Sequence, residues 1–490
     1  MANNQVPANI EVPFVYIAID NTGSFEGTSA QNYRVLLIGS GNGSATAGKA
    51  YQVSSLAQAK TLFASGSDIY QMAEAFTRND SISQIHAAAI DGSGLTQASC
   101  VLSIALATGA TAIETNGSLR ITVNDTSVVV AYTTSDTVPS IEKGIKAALA
   151  IVPYLEADTT DDGTITITAI PKGEIGNFSI SVTEETAGKS KLTVTLTGLT
   201  DGKTTNGSAI QQTNFSGIFK NLPDIQYNLI VCSFTSIEIA SALKNELSDR
   251  FGPLRQKDGA AILTTTAEIS KISESLQKLN SQFISILSPG DSLTPAYLFG
   301  AATAGQISAS ATLDPARPFQ TLELKGRFAP PRTKPTFSER NNLLRSGIST
   351  IVFDQSDTPR IERIVTTYLQ NDSGADDRSY HDLNTLLTLS YIRNDFRLFL
   401  LNRYGRSKVA NDTTRFAAGV QVITPKLAKA ETIARFREYE SLGFVENVDS
   451  LKESLIVRRS AQDPNRLEFI LRPNLVNPLT VIGVELGFIL

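Results

Sequence analysis

Three short apolar stretches decide the fold of this chain: NLIVCS at 228–233, AAILTT at 260–265 and FISIL at 283–287. Short runs with few polar interruptions are typical of strands that are buried on both faces of a sheet. The segments between them, Ser236–Asp249 and Glu268–Leu279, have apolar residues at helical spacing. Strands that alternate with helices predict a mostly parallel sheet covered by helices.

The same pattern occurs near the start of the chain. Arg34–Ile38 predicts a short buried strand, and Ile82–Ile90 resembles a second one. Between them, Ser54–Phe63 and Ile69–Phe76 have helical spacing. We therefore predict one α/β core that is interrupted in sequence by a long insertion.

The intervening stretch, from about Thr96 to Gly207, is rich in Thr, Ser and Val. Alternating apolar and polar residues predict five strands there, separated by turn signals such as Asp162-Gly163. One helix is expected near Ser140–Ile151, within a domain that is otherwise β-rich. The predicted strands are Leu119–Val123, Val128–Tyr132, Thr164–Ile170, Phe178–Val182 and Leu192–Leu196.

The last third of the chain predicts a C-terminal α+β domain, entered through the Pro-rich segment Ala329–Pro335. A long helix with one apolar stripe is predicted within Asp382–Tyr404. Leu455–Val457 and Leu467–Leu471 flank a turn and predict a hairpin. The expected fold is thus mixed α/β and α+β in four parts: an N-terminal arm and strand at 1–20, a discontinuous α/β domain at 21–95 with 208–328, a β-rich inserted outer domain at 96–207, and the C-terminal domain at 329–490.

A second helix of the C-terminal domain has clear end signals. Thr424 suits the N-cap, Pro425 the first helical position, and Gly443 the position after the end. The apolar residues of this helix are expected to be buried against its own domain: Leu427, Ala430, Ile433 and Phe436.

Both ends of the chain have the pattern of β-strands. Residues 10–19 alternate in polarity, and Pro13 restricts that strand to an edge or a bulge because it cannot donate to a ladder. Leu479–Leu490 stays apolar to its last residue. An apolar end must be held in a sheet, either within the chain or by exchange between subunits through β-augmentation. The residues expected on the exchanged faces are Ile10, Val12, Phe14 and Tyr16 at one end, and Ile482, Val484, Leu486, Phe488 and Leu490 at the other.

Composition excludes several classes of function. The 490 residues are 41% hydrophobic and 19% charged, as in soluble globular proteins. No apolar run reaches the length of a membrane span and no signal peptide precedes the first predicted strand, so we expect a soluble protein made in the cytoplasm.

Two isolated Cys and two His argue against a zinc site or a disulfide framework. His381 is adjacent to Asp382 and is expected at the surface or in a cap rather than in an acid/base pair.

The net charge of −5 is distributed unevenly. From Thr321 onward there are 24 Lys and Arg and 20 Asp and Glu, a net charge of +4, which leaves a net charge of −9 for the residues before Thr321. Arginine supplies 18 of those 24 bases and is the residue that favours bidentate pairs at protein interfaces. We expect a large partner surface, but no direct nucleic-acid contact, because these arginines are interleaved with acids.

Two motifs leave alternative functions open. Gly39-Ser40-Gly41-Asn42-Gly43 follows the first strand, as a dinucleotide-binding motif would, but its spacing is G-x-G-x-G. A nucleotide-binding α/β enzyme is one alternative, and a tight turn that needs positive φ accounts for the glycines equally well. Asp158, Asp161 and Asp162 lack the spacing of a calcium loop and predict a solvated turn. A receptor-binding module in the Thr-rich insertion is the other alternative.

Several longer segments resemble contractile-tail sheath proteins of Mu-like bacteriophages. They are SERNNLLRSGIST (338–350), IERIVTTY (361–368), LNTLLTL (383–389), DTTRF (412–416), DPNRL (463–467) and RPNLVN (472–477), with RVLLIG (34–39) and FASGSDIYQM (63–72) upstream. The resemblance covers roughly residues 8–94 and 215–490. The insertion between them is the variable part, and nothing is carried over to it.

The resemblance implies a structural subunit without catalytic, cofactor-binding or metal-binding residues. Such subunits form stacked six-fold rings around an inner tail tube, exchange terminal strands into the small C-terminal sheet of their neighbours, and contract to drive the tube through the host envelope. It also implies contacts with baseplate and tail terminator proteins, assembly in the host cytoplasm, a place in the virion tail, and no membrane insertion. We expect the contact with the tube on the helix after Thr424, through Lys426, Lys429, Arg435 and Arg437.

Overall fold

The computed structural model of the chain describes residues 33–185, 188–267, 272, 279–417 and 419–489. The strand predicted at 10–19 lies outside these residues, as does most of the helix predicted at Glu268–Leu279. The strands of the described part are β1 (Arg34–Gly39), β2 (Ala50–Val53), β3 (Gln84–Ala89), β4 (Gln97–Leu106), β5 (Gly117–Val123), β6 (Thr126–Tyr132), β7 (Leu155–Thr159), β8 (Thr164–Lys172), β9 (Ile180–Glu184), β10 (Leu192–Thr197), β11 (Leu229–Cys232), β12 (Ala260–Thr264), β13 (Ile284–Ser288), β14 (Ile348–Phe353), β15 (Pro359–Arg363), β16 (Lys408–Val409), β17 (Val422–Ile423), β18 (Val445–Glu446), β19 (Ile456–Arg459), β20 (Leu467–Ile470) and β21 (Asn474–Leu475). Its α-helices are α1 (Leu56–Phe63), α2 (Asp68–Asn79), α3 (Val138–Leu149), α4 (Gln212–Asn221), α5 (Ile237–Phe251), α6 (Ala296–Leu313), α7 (Phe337–Arg345), α8 (Leu383–Tyr404), α9 (Pro425–Ser441) and α10 (Val448–Ser454).

The predicted mostly parallel sheet is confirmed. Eight strands lie in the order β15-β14-β13-β12-β11-β1-β3-β2. The inner pairs run parallel, and the outer pairs β2–β3 and β14–β15 run antiparallel. β1 lies between β3 and β11, so that Leu37 is opposite Ala87 on one side and Val231 on the other. Strands from before and after the insertion therefore build one sheet.

Helices cover both faces of this sheet. The connections from β1 to β3 and from β11 to β12 run in opposite directions along the strand order. Because such crossovers are right-handed, α2 and α5 lie on opposite faces. α6 packs beside α2, where a Cβ at Gly305 would lie only 2.9 Å from the carbonyl oxygen of Phe76. The amide of Gln306 also donates to Asn79 at 2.9 Å, which fixes the two helices in register.

Sequence patterning does not predict α6. Its residues are small and mostly buried, among them Gly300, Ala302 and Ile307. A helix that is buried around most of its circumference lacks the apolar stripe by which amphipathic helices are recognised.

The strands β14 and β15 belong to the eight-stranded sheet, although they follow residue 329. We expected residues after 329 to form part of a C-terminal domain, but β14 pairs in parallel with β13, with Ile348 opposite Ile286. The apolar run of β14 is buried at the open edge of β13, and β15 adds to β14 as the outermost strand. The division into domains stays a proposal, in which the C-terminal part now begins after β15.

The inserted stretch has a hydrophobic core of its own, to which Ile121, Ile145 and Ile167 contribute from three different elements. β10, β4, β8 and β7 form one antiparallel sheet, and β6, β5 and β9 form another. α3 packs against strands of both sheets. The five predicted strands correspond to β5, β6, β8, β9 and β10, whereas β4 and β7 were not predicted.

The long helix α8 is shared by two hydrophobic clusters. Its first half is buried in the α/β core through Leu383, Leu386 and Leu387. Its second half is buried in a C-terminal cluster with α9, α10 and β18, through Ile392, Phe396 and Leu400. At the junction, the guanidinium of Arg393 donates to the backbone oxygen of Phe251 at 2.6 Å and pairs with the carboxylate of Asp258. One uninterrupted helix therefore joins the two clusters.

Helix α9 begins and ends as predicted. The hydroxyl of Thr424 accepts the N–H of Leu427 at 3.3 Å, Pro425 is the first helical residue, and Gly443 adopts a φ of +80°. These are the expected N-cap, first-turn and C-terminal signals.

The buried face of α9 differs from the prediction. Ala428, Thr432, Phe436 and Tyr439 are buried, whereas Leu427 is 42% exposed and Ala430 is also exposed. Thr432 tolerates burial because its hydroxyl donates to the carbonyl of Ala428 at 2.8 Å. The expectation for Leu427 and Ala430 is therefore wrong, since sequence reasoning counts Thr432 as polar and misplaces the buried stripe.

Candidate assembly interface

The C-terminal tail, Leu479–Ile489, is apolar and exposed. The exposed fractions are 75% for Ile482, 82% for Val484, 90% for Leu486 and 82% for Phe488. The tail forms no strand within the described chain, so the terminal strand that we predicted is absent from the single subunit. A strand needs a neighbouring ladder for its backbone groups, and no described segment supplies one to the tail. Leu490 and the N-terminal residues Ile10, Val12, Phe14 and Tyr16 lie outside the described residues.

The strands β19 and β20 form a hairpin that is two strands wide, with Ile456 opposite Ile470 and Arg459 opposite Leu467. In the part of the chain that the structure describes, neither strand pairs with a third. Each strand therefore has one edge on which backbone N–H and C=O groups face outward. Phe469 packs edge-to-face on Phe396, which holds the hairpin against α8. A hairpin of this size is marginal alone and is stabilised by added strands.

The four bases predicted to contact the tube differ in their surroundings. Lys429 donates from Nζ to the backbone oxygen of Leu455 at 2.6 Å, and Arg437 lies 3.2 Å from Asp449. Arg435 is partly buried and donates from Nε to Oδ2 of Asp395 at 3.0 Å. Lys429 and Arg435 are therefore only partly exposed and are bonded within the subunit, and their contact with a tube stays a prediction. The hydrogen-bond partners of Lys429 and Arg435 lie on elements other than α9, so the sequence of α9 alone does not reveal them.

Arg435 also belongs to a polar network between α8 and α9. The carboxylate of Asp395 accepts from both Arg435 and the hydroxyl of Tyr439. Burial, together with the adjacent carboxylate, raises the pKa of Tyr439, so the hydroxyl stays protonated and keeps donating. This network holds α8 and α9 together. The side chains of Arg435, Asp395 and Tyr439 are therefore bonded to each other within the subunit.

The turn at Gly39–Gly43 is closed by a carboxylate of the chain itself. Asp68 is the first residue of α2 and accepts the N–H of Ser40 at 2.9 and 3.0 Å, as well as the hydroxyls of Ser40 and Ser233. Burial raises the pKa of Asp68, and these hydrogen bonds oppose that effect. The carboxylate lies where a dinucleotide-binding fold holds phosphate, between the turn and a helix N-terminus. The nucleotide-binding alternative therefore has no support in this geometry.

The glycines of this turn serve close packing rather than positive φ, which corrects the expectation stated above. A Cβ at Gly39 would lie 2.2 Å from Oδ2 of Asp68, and one at Gly43 would lie 2.4 Å from the backbone oxygen of Leu62. Neither glycine is among the residues with positive φ.

The insertion covers the crevice beside this turn. Open α/β sheets bind ligands where the strand order reverses, which here is between the carboxyl ends of β1 and β11. The side-chain amide of Asn42 donates to the backbone oxygen of Ile170 at 3.0 Å, and the N–H of Lys172 donates to the hydroxyl of Ser40 at 3.3 Å. Two polar crevices remain there. One, lined by Ser233 and Tyr297, has a volume of about 200 Å³. The other, lined by the turn residues Gly41–Gly43 together with Ile170 and Lys172 of the insertion, is open to solvent and has a volume of about 610 Å³.

The acidic run of the insertion is a paired surface turn. Asp158 lies 3.2 Å from Lys146, and Asp161 lies 3.1 Å from Lys143. Within the described ranges, no group of three or more His, Cys, Asp or Glu side chains is arranged to hold a metal ion. Nor is any helix in those ranges long and apolar enough to cross a bilayer.

His381 and Asp382 do not act on each other as an acid/base pair. Asp382 is the N-cap residue of α8 and accepts from Arg363 at 2.8 and 2.9 Å. His381 is only 8% exposed, and burial lowers its pKa to about 4, so the imidazole is neutral at pH 7. The expectation of a surface or capping role for His381 is therefore wrong, because His381 is buried and it is Asp382 that holds the N-cap position, without a capping hydrogen bond from its side chain.

In this chain, Asp68 occupies the position of a phosphate beside the turn, and the apolar C-terminal tail is exposed. A monomeric protein rarely exposes so continuous an apolar segment, which instead marks a contact with another chain. Fold and surface together favour a structural protein that associates with other chains.

Sequence comparisons identify the family. Residues 202–367 match the phage tail sheath protein central domain, and residues 375–488 match the phage tail sheath C-terminal domain. The tail sheath protein of the Mu-like prophage FluMu from Haemophilus influenzae is 31% identical over 499 residues, which cover 99% of each chain. The chain belongs to the phage tail sheath family, and the resemblance to Mu-like sheath proteins is confirmed.

A solved sheath structure shares the fold, and a second one is reported beside it. The crystal structure of the sheath tail protein from Desulfitobacterium hafniense has a TM-score of 0.50 and 12% identity, covering 94% of this chain and 100% of that one. The sheath complex of an extracellular contractile injection system in its contracted state has a TM-score of 0.49 and 10% identity, covering 98% of each chain. At these identities the likeness concerns the fold alone.

Proposed function

We propose that this chain is the subunit of a contractile tail sheath. Subunits polymerise around an inner tail tube as stacked six-fold rings, and contraction drives the tube through the host envelope without nucleotide hydrolysis. Membership of the tail sheath family supports this role, and so does the 31% identity to a tail sheath protein over the full chain. The structural observation that carries the proposal is the exposed apolar tail of a chain whose hairpin has open edges.

Strand exchange links the subunits in this proposal. The C-terminal tail of one subunit and the N-terminal strand of another add to the outer edges of the hairpin β19–β20 by β-augmentation. A strand that makes about five backbone hydrogen bonds gains roughly 0.5–1.5 kcal/mol from each, in addition to about 25 cal/mol per Å² of apolar burial. The tail is suited to this because Ile482, Val484, Leu486 and Phe488 lie at a period of two and bury little in their own subunit.

The remaining partners follow from the same role. The sheath surrounds the tube protein and meets a baseplate at one end and a terminator at the other, in a virion tail assembled in the host cytoplasm. We propose that the insertion lies on the outside of the sheath. It has a hydrophobic core of its own, whereas a domain between the sheath and the tube would have to fit a gap of fixed size.

Deletion of Leu479–Leu490 tests strand exchange. We expect a folded, soluble monomer that forms no tubes. The fold should survive because, among the described residues, one hydrogen bond joins the tail to the rest of its chain, from the side-chain amide of Gln320 to the backbone oxygen of Leu479. Circular dichroism checks the fold, and negative-stain microscopy checks for tubes. Normal tubes from the truncated chain would contradict the proposal.

Two variants of full length test whether tube formation depends on the apolar face of the tail and not only on its length. Val484→Asp with Phe488→Asp should abolish tubes, because both side chains would carry charge into the receiving sheet. Glu485→Gln, which lies between them, should leave tube formation intact. Equal assembly of the two variants would show that burial of the apolar face is not what joins the subunits.

A further inference from the structure

The insertion carries the whole net charge of the chain. Residues 97–207 contain 12 Asp and Glu and 7 Lys and Arg, a net charge of −5. The full chain contains 48 Asp and Glu and 43 Lys and Arg, so the rest of it has 36 of each kind and is neutral. The negative charge therefore belongs to one part of the molecule and is not spread over all of it.

The excess of acid lies at the surface of the insertion. Three ion pairs cancel an equal number of acids and bases, and they are Arg120–Glu185, Lys143–Asp161 and Lys146–Asp158. Nine acids and four bases remain. Glu142 is completely buried, and burial raises its pKa, so this acid adds little to the surface charge. The other eight acids are exposed or half-buried.

The insertion extends away from the α/β core. Its contacts with the core lie near the start of β4, where Lys172 is opposite Gln97 and bonds to Ser40. From there β4 runs for ten residues, which at about 3.3 Å per residue places its far end roughly 30 Å from these contacts. Charges at physiological salt act over only about 8 Å, so charge affects a neighbouring particle only from an outermost surface.

The acids are spread over the insertion and do not form one patch. Glu114 precedes β5, Glu156 lies in β7, and Asp201 lies in the turn after β10. A binding site for a basic partner would need its acids in one place, whereas charge spread over a surface repels a like-charged surface in any orientation.

We propose that the insertion is an electrostatic spacer that keeps assembled sheaths from adhering to one another side by side. The proposal rests on the proposed function, in which the insertion lies on the outside of the sheath. A surface without net charge promotes association and precipitation, and the rest of this chain is neutral. Every subunit adds the same excess of acid, so the repulsion between two parallel tubes adds up along their length.

The test compares two triple variants that remove three charges of opposite sign from matched positions of the insertion. Asp201 and Lys203 lie in the same turn, and the N–H of Glu114 donates at 3.0 Å to the backbone oxygen of Ser190, which lies between Lys189 and Lys191. None of the six side chains has an ion pair in the part of the chain that the structure describes. The acidic set is Glu114→Gln, Glu156→Gln and Asp201→Asn, and the basic set is Lys189→Gln, Lys191→Gln and Lys203→Gln.

Tubes formed by each purified chain are carried through a salt series. Side-by-side bundling is measured by turbidity and low-speed sedimentation, and the tubes are counted by negative stain. We expect the acidic set to bundle at a salt concentration at least about twofold below that of the wild type, and the basic set at least about twofold above it, because salt screens the repulsion.

A shift of both variants in the same direction would overturn the proposal, because it would show that a specific contact was lost and not net charge. Bundling that is unchanged in both variants would also overturn it, as would the loss of tubes in either variant, which would place the insertion within the lattice. A wild-type chain that forms no tubes would instead overturn the proposed function, so the two failures are distinguishable.

Discussion

Arg393 and Asp258 form an ion pair that is almost completely removed from water. Their side chains are 3% and 2% exposed, and the Arg393 guanidinium also lies 4.6 Å from the ring centroid of Phe251. Burial raises the pKa of Asp258, while the adjacent guanidinium opposes that rise. A buried charge is costly unless it is paired, so each residue depends on the other. The pair joins α8 to the segment before β12.

We expect Arg393→Met to lower the free energy of unfolding by about 3–5 kcal/mol, because it leaves the Asp258 carboxylate buried without its partner. The double variant Arg393→Met with Asp258→Leu should recover most of this loss, since neither charge remains. Denaturant unfolding of the monomer measures both. Arg437→Met is the control at an exposed pair and should cost less than about 1 kcal/mol. A double variant less stable than the single one would refute this account.

At the scale of elements, the hairpin β19–β20 should change its dynamics on assembly. Its outward amides should exchange with solvent quickly in the monomer and more slowly in tubes. Each added hydrogen bond contributes about 0.5–1.5 kcal/mol, and roughly 1.4 kcal/mol corresponds to a factor of ten in an equilibrium constant. Hydrogen–deuterium exchange of Ile456–Arg459 and Leu467–Ile470 measures the change. The central strand β12 is the internal control, and a hairpin that exchanges equally in both states would argue against strand addition.

Elements were predicted well where local chemistry decides them. The fully buried strands β11, β12 and β13 are apparent from their apolar runs, and the ends of α9 from its capping residues. The pairing of β14 with β13 was not predicted, because the partner of a strand is set by tertiary structure and not by local pattern. The partners of Lys429 and Arg435 lie just before β19 and on α8, so the sequence of α9 alone does not reveal them, and the tube contact stays a prediction. Strand exchange at the two ends of the chain remains a prediction.

At the scale of the whole molecule, the insertion is expected to be removable. Its two ends are adjacent, since the hydroxyl oxygens of Thr96 and Ser208 are 2.6 Å apart. Replacing 97–207 by a short Gly-Ser linker should leave the α/β core folded and able to form tubes, with a smaller outer diameter. Thermal unfolding and negative-stain microscopy check the two outcomes. A folded deletion variant that no longer assembles would place the insertion within the lattice.

The sharing of α8 between two clusters has a mechanical consequence. A helix rises about 1.5 Å per residue, so Leu383–Tyr404 is a rod of roughly 33 Å with neither Pro nor Gly to bend it. The hairpin packs on this rod at Phe396, and the first half of the rod is buried in the α/β core, so a stiff helix rather than a loose tether joins the two. Under the proposed strand exchange, work released by one subunit would pass to the next with little lost as slack. The stiffness of the sheath wall is in this sense already present in the single chain.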